Sequence, residues 1–132
     1  MQQPQYPSSH RVLLVEDHGR LAFLMCKMLG MLGYDVHSVK TIADVEAMID
    51  FDFELVLCDY MLPDGNATHL LTYIRERSDL PVILLTAYPI YDLAQETRDR
   101  FDVVLTKPVD MDELKRVLGR YLEPGELQSS PG

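Results

Sequence analysis

The stretch Glu54–Gly65, ELVLCDYMLPDG, is an apolar run that stops at a carboxylate, Asp59, and then turns through Pro-Asp-Gly. A run this short and this apolar is typical of a strand buried on both faces of a parallel sheet. The following segment, NATHLLTYIRER, places Leu70, Leu71 and Ile74 at helical spacing. The stretch therefore predicts a strand, a turn and a helix, with an acidic side chain held where the strand ends.

The same alternation of strand and helix continues in both directions along the chain. Four further apolar runs predict strands: RVLLVED (11–17), the weaker YDVHSV (34–39), PVILLTA (81–87) and DVVLT (102–106). Helices are predicted after each strand, the least apolar of them being IYDLAQETRDR (90–100). In the other helices, apolar residues at helical spacing are expected to face the core: Leu21, Leu24, Met25, Met28, Leu29 and Leu32; Val45, Met48 and Ile49; Leu114, Val117, Leu118 and Tyr121. Parallel strands need crossover connections, so the pattern predicts an α/β fold, a doubly wound five-stranded parallel sheet in a single domain.

Local signals mark where several of these helices begin and end. Gly33 is expected to stop the first helix in a left-handed conformation. Thr41 and Asp44 have the spacing of a capping box, and Asp110 and Glu113 are expected to cap the last helix.

Length, charge and cysteine content exclude several classes of protein. The 132 residues suit one core, with a polar leader over 1–10, a domain over 11–122 and a polar tail over 123–132. A formal charge of -9 argues against direct binding to nucleic acid or to an anionic membrane, because both require clustered Lys and Arg. Two cysteines without a CxxC pattern indicate neither a disulfide framework nor a zinc site. No apolar run approaches the roughly 20 residues of a membrane span, so a cytoplasmic location is the expectation.

Polar side chains follow four of the five predicted strands. In a doubly wound sheet the carboxyl ends of the strands form the ligand-binding edge. The residues expected there are Glu16, Asp17, Asp59, Thr86, Thr106 and Lys107. Packed carboxylates repel one another, so the cluster predicts a neutralising cation, and oxygen ligands favour Mg²⁺ over zinc. A metal beside a hydroxyl and an ammonium suits the binding of a phosphoryl group, which a carboxylate can itself accept.

The ordered set LLVED, LVLCDYMLPDG, VILLTA and LTKP resembles the receiver domain of two-component response regulators, over roughly residues 11 to 122. The resemblance implies the flavodoxin-like (βα)5 fold. It also implies a role for each matching residue: Asp59 as phospho-acceptor, Thr86 and Lys107 as phosphoryl contacts, and Glu16, Asp17, Asp59 and the backbone carbonyl of Met61 as Mg²⁺ ligands. It further implies a cis peptide bond between Lys107 and Pro108.

The resemblance implies a phosphorylation-switched signalling protein, and the 132 residues predict that it has no output domain of its own, because none fits once the periodic segments are placed. A histidine kinase or phosphotransfer protein would phosphorylate Asp59. An unidentified downstream protein would bind the face formed by the fourth helix, fifth strand and fifth helix. Such a protein assists its own phosphorylation and slow dephosphorylation and is not a turnover enzyme.

Several positions depart from the family pattern and motivate an alternative, a degenerate receiver that binds a partner regardless of phosphorylation. Val104 stands where receivers usually carry Tyr or Phe, and Arg100-Phe101 replaces the usual Gly-Ala. Tyr91 or Phe101 is a candidate substitute for the missing ring, although a plain core role is the better interpretation of Phe101. Met61 and Tyr88, the bulky residues two beyond the aspartate and the threonine, predict slow self-dephosphorylation.

Two other classes of protein, an enzyme and a carrier, also use this architecture, but this sequence lacks the residues typical of each. An aspartyl-phosphate phosphohydrolase would usually carry a second Asp where this chain has Met61, and a flavin carrier would have a first loop rich in Ser, Thr and Gly instead of EDHGRL. The four histidines show no metal-ligand spacing, and His18 is interpreted as a surface residue at a helix start.

Overall fold

The computed structural model describes residues 10–48, 51–87 and 93–122. The strands and helices follow one another along these ranges in this order: β1 (Arg11–Val15), α1 (Gly19–Met31), β2 (Asp35–Val39), α2 (Ile42–Glu46), β3 (Leu55–Asp59), β4 (Met61–Leu62), β5 (Gly65–Asn66), α3 (Ala67–Arg75), β6 (Val82–Thr86), α4 (Gln95–Arg100), β7 (Val103–Thr106) and α5 (Met111–Tyr121). Five strands form one parallel sheet in the order β2-β1-β3-β6-β7. The prediction of a doubly wound five-stranded sheet is confirmed.

Alternate residues of the central strands belong to two separate hydrophobic cores, one on each face of the sheet. On one face Leu13, Val56 and Leu84 pack with apolar residues of α2 and α3. On the other, Leu14 and Leu57 pack with apolar residues of α1 and α5. Burial on both faces explains why the strands are continuously apolar and show no alternation of polar and apolar residues.

The expected capping signals are present. Gly33 has a φ of 94° after α1. Thr41 and Asp44 form a complete capping box at the start of α2. Asp110 accepts a hydrogen bond of 2.7 Å from the backbone N–H of Glu113 at the start of α5.

Three expectations about the helices are wrong. Leu24 is 52% exposed, because α1 turns Ala22, Met25 and Leu29 toward the core. Tyr121 is 37% exposed, and the following residue, Leu122, is buried in its place. The helix predicted through Met48 ends at Glu46, although Met48 still packs against the core.

Some expectations fall on residues outside the described ranges: Ile49, Tyr88 and Tyr91, residues 1–9 of the leader, and the tail at 123–132. Phe101 is buried in the core shared with α3, which agrees with the plain core interpretation. Within the described ranges, no helix has both the length and the apolar character needed to span a membrane.

Candidate functional site

The carboxyl edge of the sheet brings together side chains from three strand ends. Asp59 is the last residue of the central strand β3, Glu16 directly follows the neighbouring β1, and Lys107 directly follows β7. The long side chain of Lys107 reaches past β6 to both carboxylates. The Lys107–Pro108 peptide bond is cis, as the resemblance implies.

A compact ionic cluster results from this arrangement. The Nζ of Lys107 lies 2.9 Å from Oδ1 of Asp59 and 3.0 Å from Oε1 of Glu16. Their side chains are 17%, 13% and 1% exposed, respectively. The second oxygen of Glu16 accepts a hydrogen bond of 3.1 Å from the backbone N–H of His18. Both oxygens of the buried Glu16 carboxylate are therefore hydrogen-bonded.

Burial and neighbouring charges move two pKa values at the cluster. Burial raises the pKa of Asp59, and the negative charge of Glu16 raises it further. These two effects together outweigh the ammonium of Lys107, which lowers the pKa. Burial alone would lower the pKa of Lys107, but its hydrogen bonds to Asp59 and Glu16 prevail and the pKa is raised. Lys107 is thus held as a cation, while the charge on Asp59 remains under-neutralised.

The carboxylates of Glu16, Asp17 and Asp59 form a group able to hold a metal ion, with one oxygen from each lying within 4.8 Å of the others. Lys107 supplies one positive charge against three negative charges, so the group still carries an excess of two. Oxygen-only donors around a small acidic centre suit a hard divalent cation such as Mg²⁺. The residues present therefore fit the expected metal.

Two further predicted site residues lie on β6, which pairs with β3, and on β4, which follows β3 in the chain. Thr86 ends β6 and is fully buried, and its carbonyl accepts a hydrogen bond of 2.8 Å from the backbone N–H of Lys107. It lies one residue beyond Leu85, the register partner of Asp59. Met61 lies two residues beyond Asp59 in β4, with a side chain that is 56% exposed.

A cavity of about 510 Å³ opens above the cluster. Besides the acidic residues and Lys107 it is lined by the first turns of α1: His18, Arg20, Leu21 and Leu24. His18 begins α1, and its Nδ1 accepts a hydrogen bond of 3.3 Å from the backbone N–H of Leu21. The interpretation of His18 as a residue at a helix start is confirmed.

Asp64 is a residue at this edge whose role sequence reasoning missed. It lies in the turn of the short antiparallel hairpin β4–β5, which directly follows Asp59. Its carboxylate accepts hydrogen bonds from the backbone N–H groups of Ile42 and Ala43, each 2.9 Å long. These two bonds hold the pKa of Asp64 below its usual value. The Pro-Asp-Gly pattern indicated the turn but not the partner of its carboxylate.

Comparisons with known proteins agree with this geometry. Residues 12–119 match the family model described as response regulator receiver domain. The chain is 32% identical over 119 residues to the response regulator protein PilR of Pseudomonas aeruginosa, covering 87% of this chain and 26% of PilR. The chain spans from about a quarter to about half of the length of the curated relatives it matches.

Solved structures of receiver domains and response regulators superpose on this chain. A CheY-like receiver domain from Methylobacillus flagellatus superposes with a TM-score of 0.79 at 27% identity, covering 87% of this chain and 100% of that one. The response regulator TrrA of Thermotoga maritima, solved in complex with Mg²⁺ and BeF, superposes with a TM-score of 0.77 at 25% identity, covering 86% and 99%. The sheet order, the acidic edge with its lysine and these matches together show that the chain belongs to the response regulator receiver domain family of two-component systems.

Proposed function

We propose that residues 11–122 form a phosphorylation-switched receiver in which Asp59 accepts a phosphoryl group from a histidine kinase or a phosphotransfer protein. The observation that carries the proposal is the contact of Lys107 with both Asp59 and Glu16. A lysine held between two carboxylates at the sheet edge is placed to contact a phosphoryl group that arrives at Asp59. Downstream signalling would proceed through protein–protein contact.

The transfer would proceed by direct attack of the carboxylate. An oxygen of Asp59 forms a bond to phosphorus while the bond between phosphorus and the donor's leaving atom breaks. The electron pair goes to that leaving atom, an imidazole nitrogen for a phosphohistidine donor, and an acyl phosphate remains on Asp59. Lys107 would exchange its contact with Asp59 for a phosphoryl oxygen, and the hydroxyl of Thr86 would donate a hydrogen bond to another.

A divalent cation completes the charge balance of the proposed site. Glu16, Asp17, Asp59 and the backbone carbonyl of Met61 would hold Mg²⁺, which would offset negative charge on the transferred group. The homologue TrrA has been solved in complex with Mg²⁺. In this chain the excess of negative charge at Glu16, Asp17 and Asp59 supports the same assignment.

The proposed switch acts on the face formed by α4, β7 and α5. None of the residues of α4 is buried, and within the described ranges the Nε of Arg98 is enclosed without a hydrogen-bond partner. A helix held this weakly needs little free energy to shift, so phosphorylation can bias its position. Val104 packs partly buried on the same side of the sheet, where it would sense such a shift.

Receiver domains are generally switches and not turnover enzymes, and we expect this chain to act in the same way. Its partners would be the phosphodonor and one downstream protein, with no direct contact to nucleic acid or membrane. The charge of -9 supports these two exclusions. We place the protein in the cytoplasm, where a histidine kinase would reach it.

The test is to incubate the protein with Mg²⁺ and acetyl phosphate and to record the intact mass. We expect one phosphoryl group per chain, dependent on Mg²⁺ and absent from Asp59→Asn. Asp79→Asn, which removes an exposed carboxylate away from the site, is the matched control and should be labelled like the wild type. Labelling that persists in Asp59→Asn would refute the assignment of the acceptor.

A second candidate function is a receiver that binds its partner without phosphorylation. Val104, in place of the usual aromatic residue, and the weakly packed α4 favour it. Absence of labelling, under conditions where a control receiver is labelled, would support this alternative over the first.

A further inference from the structure

The hairpin β4–β5 is tied to the start of α2 by the carboxylate of Asp64. Oδ1 accepts from the N–H of Ile42 and Oδ2 from the N–H of Ala43, both at 2.9 Å. Ile42 and Ala43 are the first residues of α2, whose N–H groups have no partner within the helix. A carboxylate is the strongest side-chain acceptor for such groups, so the contact is a strong one. It joins two segments that are far apart in sequence.

The position of this contact in the sheet relates it to the acidic cluster. Asp64 follows β3 and Ile42 follows β2, and both strands pair with β1. The contact therefore links two arms, the segment that follows β2 and the segment that follows β3. These arms flank the end of β1, where Glu16 and Asp17 lie. On one arm, the carbonyl of Val39 accepts a hydrogen bond of 3.0 Å from the backbone N–H of Glu16.

The other arm carries Met61, which lies only three residues before Asp64. Met61 pairs with Asn66 across the hairpin, and the carbonyl of Tyr60 accepts a bond of 2.8 Å from the N–H of Ala67. These bonds make the hairpin a unit that moves with Asp64. The contact between Asp64 and α2 therefore restrains the hairpin that carries the Met61 carbonyl.

An independent feature of the backbone shows how closely the hairpin approaches α2. Gly65 has a φ of +152°, and a Cβ added there would lie 2.8 Å from Cδ1 of Ile42. Only glycine permits both this conformation and this proximity. The side chain of Ile42 is itself buried, at 2% exposure, so the contact is a packed one.

We propose that Asp64 is a positioning residue that sets the affinity of the site for Mg²⁺ by holding the Met61 arm against the start of α2. The inference rests on the proposed function, since it assumes that the Met61 carbonyl and Glu16 share the ion. A side-chain ligand can adjust by rotating, whereas a backbone carbonyl is placed only by the conformation of its loop. Loss of the contact would loosen that loop without touching Asp59 or Lys107.

The experiment measures Mg²⁺ binding to the full chain by isothermal titration calorimetry, and phosphorylation by acetyl phosphate as a function of Mg²⁺ concentration. For Asp64→Ala we expect about tenfold weaker Mg²⁺ binding, the low end of the effect of outer-shell partners on metal affinity. The phosphorylation rate at saturating Mg²⁺ should stay close to that of the wild type. Asp64→Asn keeps one of the two acceptors and should fall between the two proteins.

Asp44→Ala is the matched control, because it removes a carboxylate of the same charge from the same helix start. Asp44 accepts from the backbone N–H groups of Lys40 and Thr41, at 3.2 Å each, and makes no bond to the hairpin. We expect its Mg²⁺ affinity to stay within about twofold of the wild type, since a single exposed charge contributes little. A loss equal to that of Asp64→Ala would refute positioning in favour of simple charge.

Wild-type Mg²⁺ affinity in folded Asp64→Ala would overturn the inference and leave the proposed function standing. Circular dichroism establishes whether that variant folds, and if it does not, unchanged affinity in Asp64→Asn overturns the inference equally. Absence of Mg²⁺ binding by the wild type would refute both the metal site and the inference.

Discussion

Replacing Lys107 with methionine separates the two parts that its ammonium plays, in stability and in chemistry. The change keeps the aliphatic stem and removes the cation from between Asp59 and Glu16. Glu16 is then left with a single hydrogen bond, from the N–H of His18, at a position that is 1% exposed. Three carboxylates remain without a compensating charge until a metal ion binds.

The expected cost follows from the burial of the partners. Breaking a buried ion pair by removing one member costs about 3–5 kcal/mol, and the partial exposure of Asp59 and Lys107 favours the lower end. We therefore expect about 3 kcal/mol, or a fall in Tm of roughly 12 °C at about 4 °C per kcal/mol. Mg²⁺ should restore part of this loss, because it neutralises the same carboxylates.

The assay is urea and thermal unfolding followed by circular dichroism, first with a chelator and then with added Mg²⁺. Lys115→Met, on the exposed face of α5, is the control and should change the free energy of unfolding by no more than about 0.5 kcal/mol. Asp59→Asn should have the opposite sign, since it removes the buried charge whose desolvation, together with repulsion from Glu16, raises the pKa of Asp59. The reasoning fails if Lys107→Met unfolds at the wild-type midpoint without metal.

Three further results are expected. The pKa of Asp64 is lowered in the folded state, so its ionised form stabilises the fold above the unfolded pKa of about 3.9. This contribution disappears as the pH falls through the lower folded pKa. The loss of stability in Asp64→Asn, measured by urea midpoints, should therefore be present at neutral pH and vanish in strong acid. Gly65→Ala should destabilise by about 1–3 kcal/mol through its positive φ and its clash with Ile42, whereas Gly119→Ala, with open space around it in α5, should raise the thermal midpoint. Met61→Asn should shorten the lifetime of the phosphorylated protein, followed by intact mass, because a polar side chain can position the attacking water; an unchanged lifetime would contradict the role given to Met61.

The fold could be predicted from sequence because strands buried on both faces leave a distinctive signature, a short apolar run such as Leu55–Cys58. The errors concern residues at the margin of a buried stripe. Leu24 has the correct spacing for the core, but α1 buries a narrow stripe that includes the small residue Ala22, so Leu24 faces the cavity instead. Leu24 lies three residues after Leu21 and four before Met28, so it falls within the apolar stripe of the sequence, and periodicity does not show which edge of that stripe faces the core.

The candidate site was predictable for a different reason: in a parallel sheet, topology alone brings strand ends together. Glu16, Asp59 and Lys107 could therefore be grouped without knowing any interatomic distance. In the structure the ammonium of Lys107 contacts both carboxylates. Asp64 could not be found in this way. Its partners are backbone N–H groups at the start of α2. Almost any residue can donate such a group, so the residue types at the donating positions do not reveal the bond.

The packing of α4 has a consequence for how such a protein can be re-engineered or can diverge. Leu93 before the helix and Phe101 after it are both buried, whereas none of the residues between Gln95 and Arg100 is. The helix therefore contributes no buried residue of its own to the core, which it adjoins only through Leu93 and Phe101. If the proposed partner-binding face includes α4, the exposed residues of this helix could be replaced to change the choice of partner while the sheet and its acidic edge stay the same.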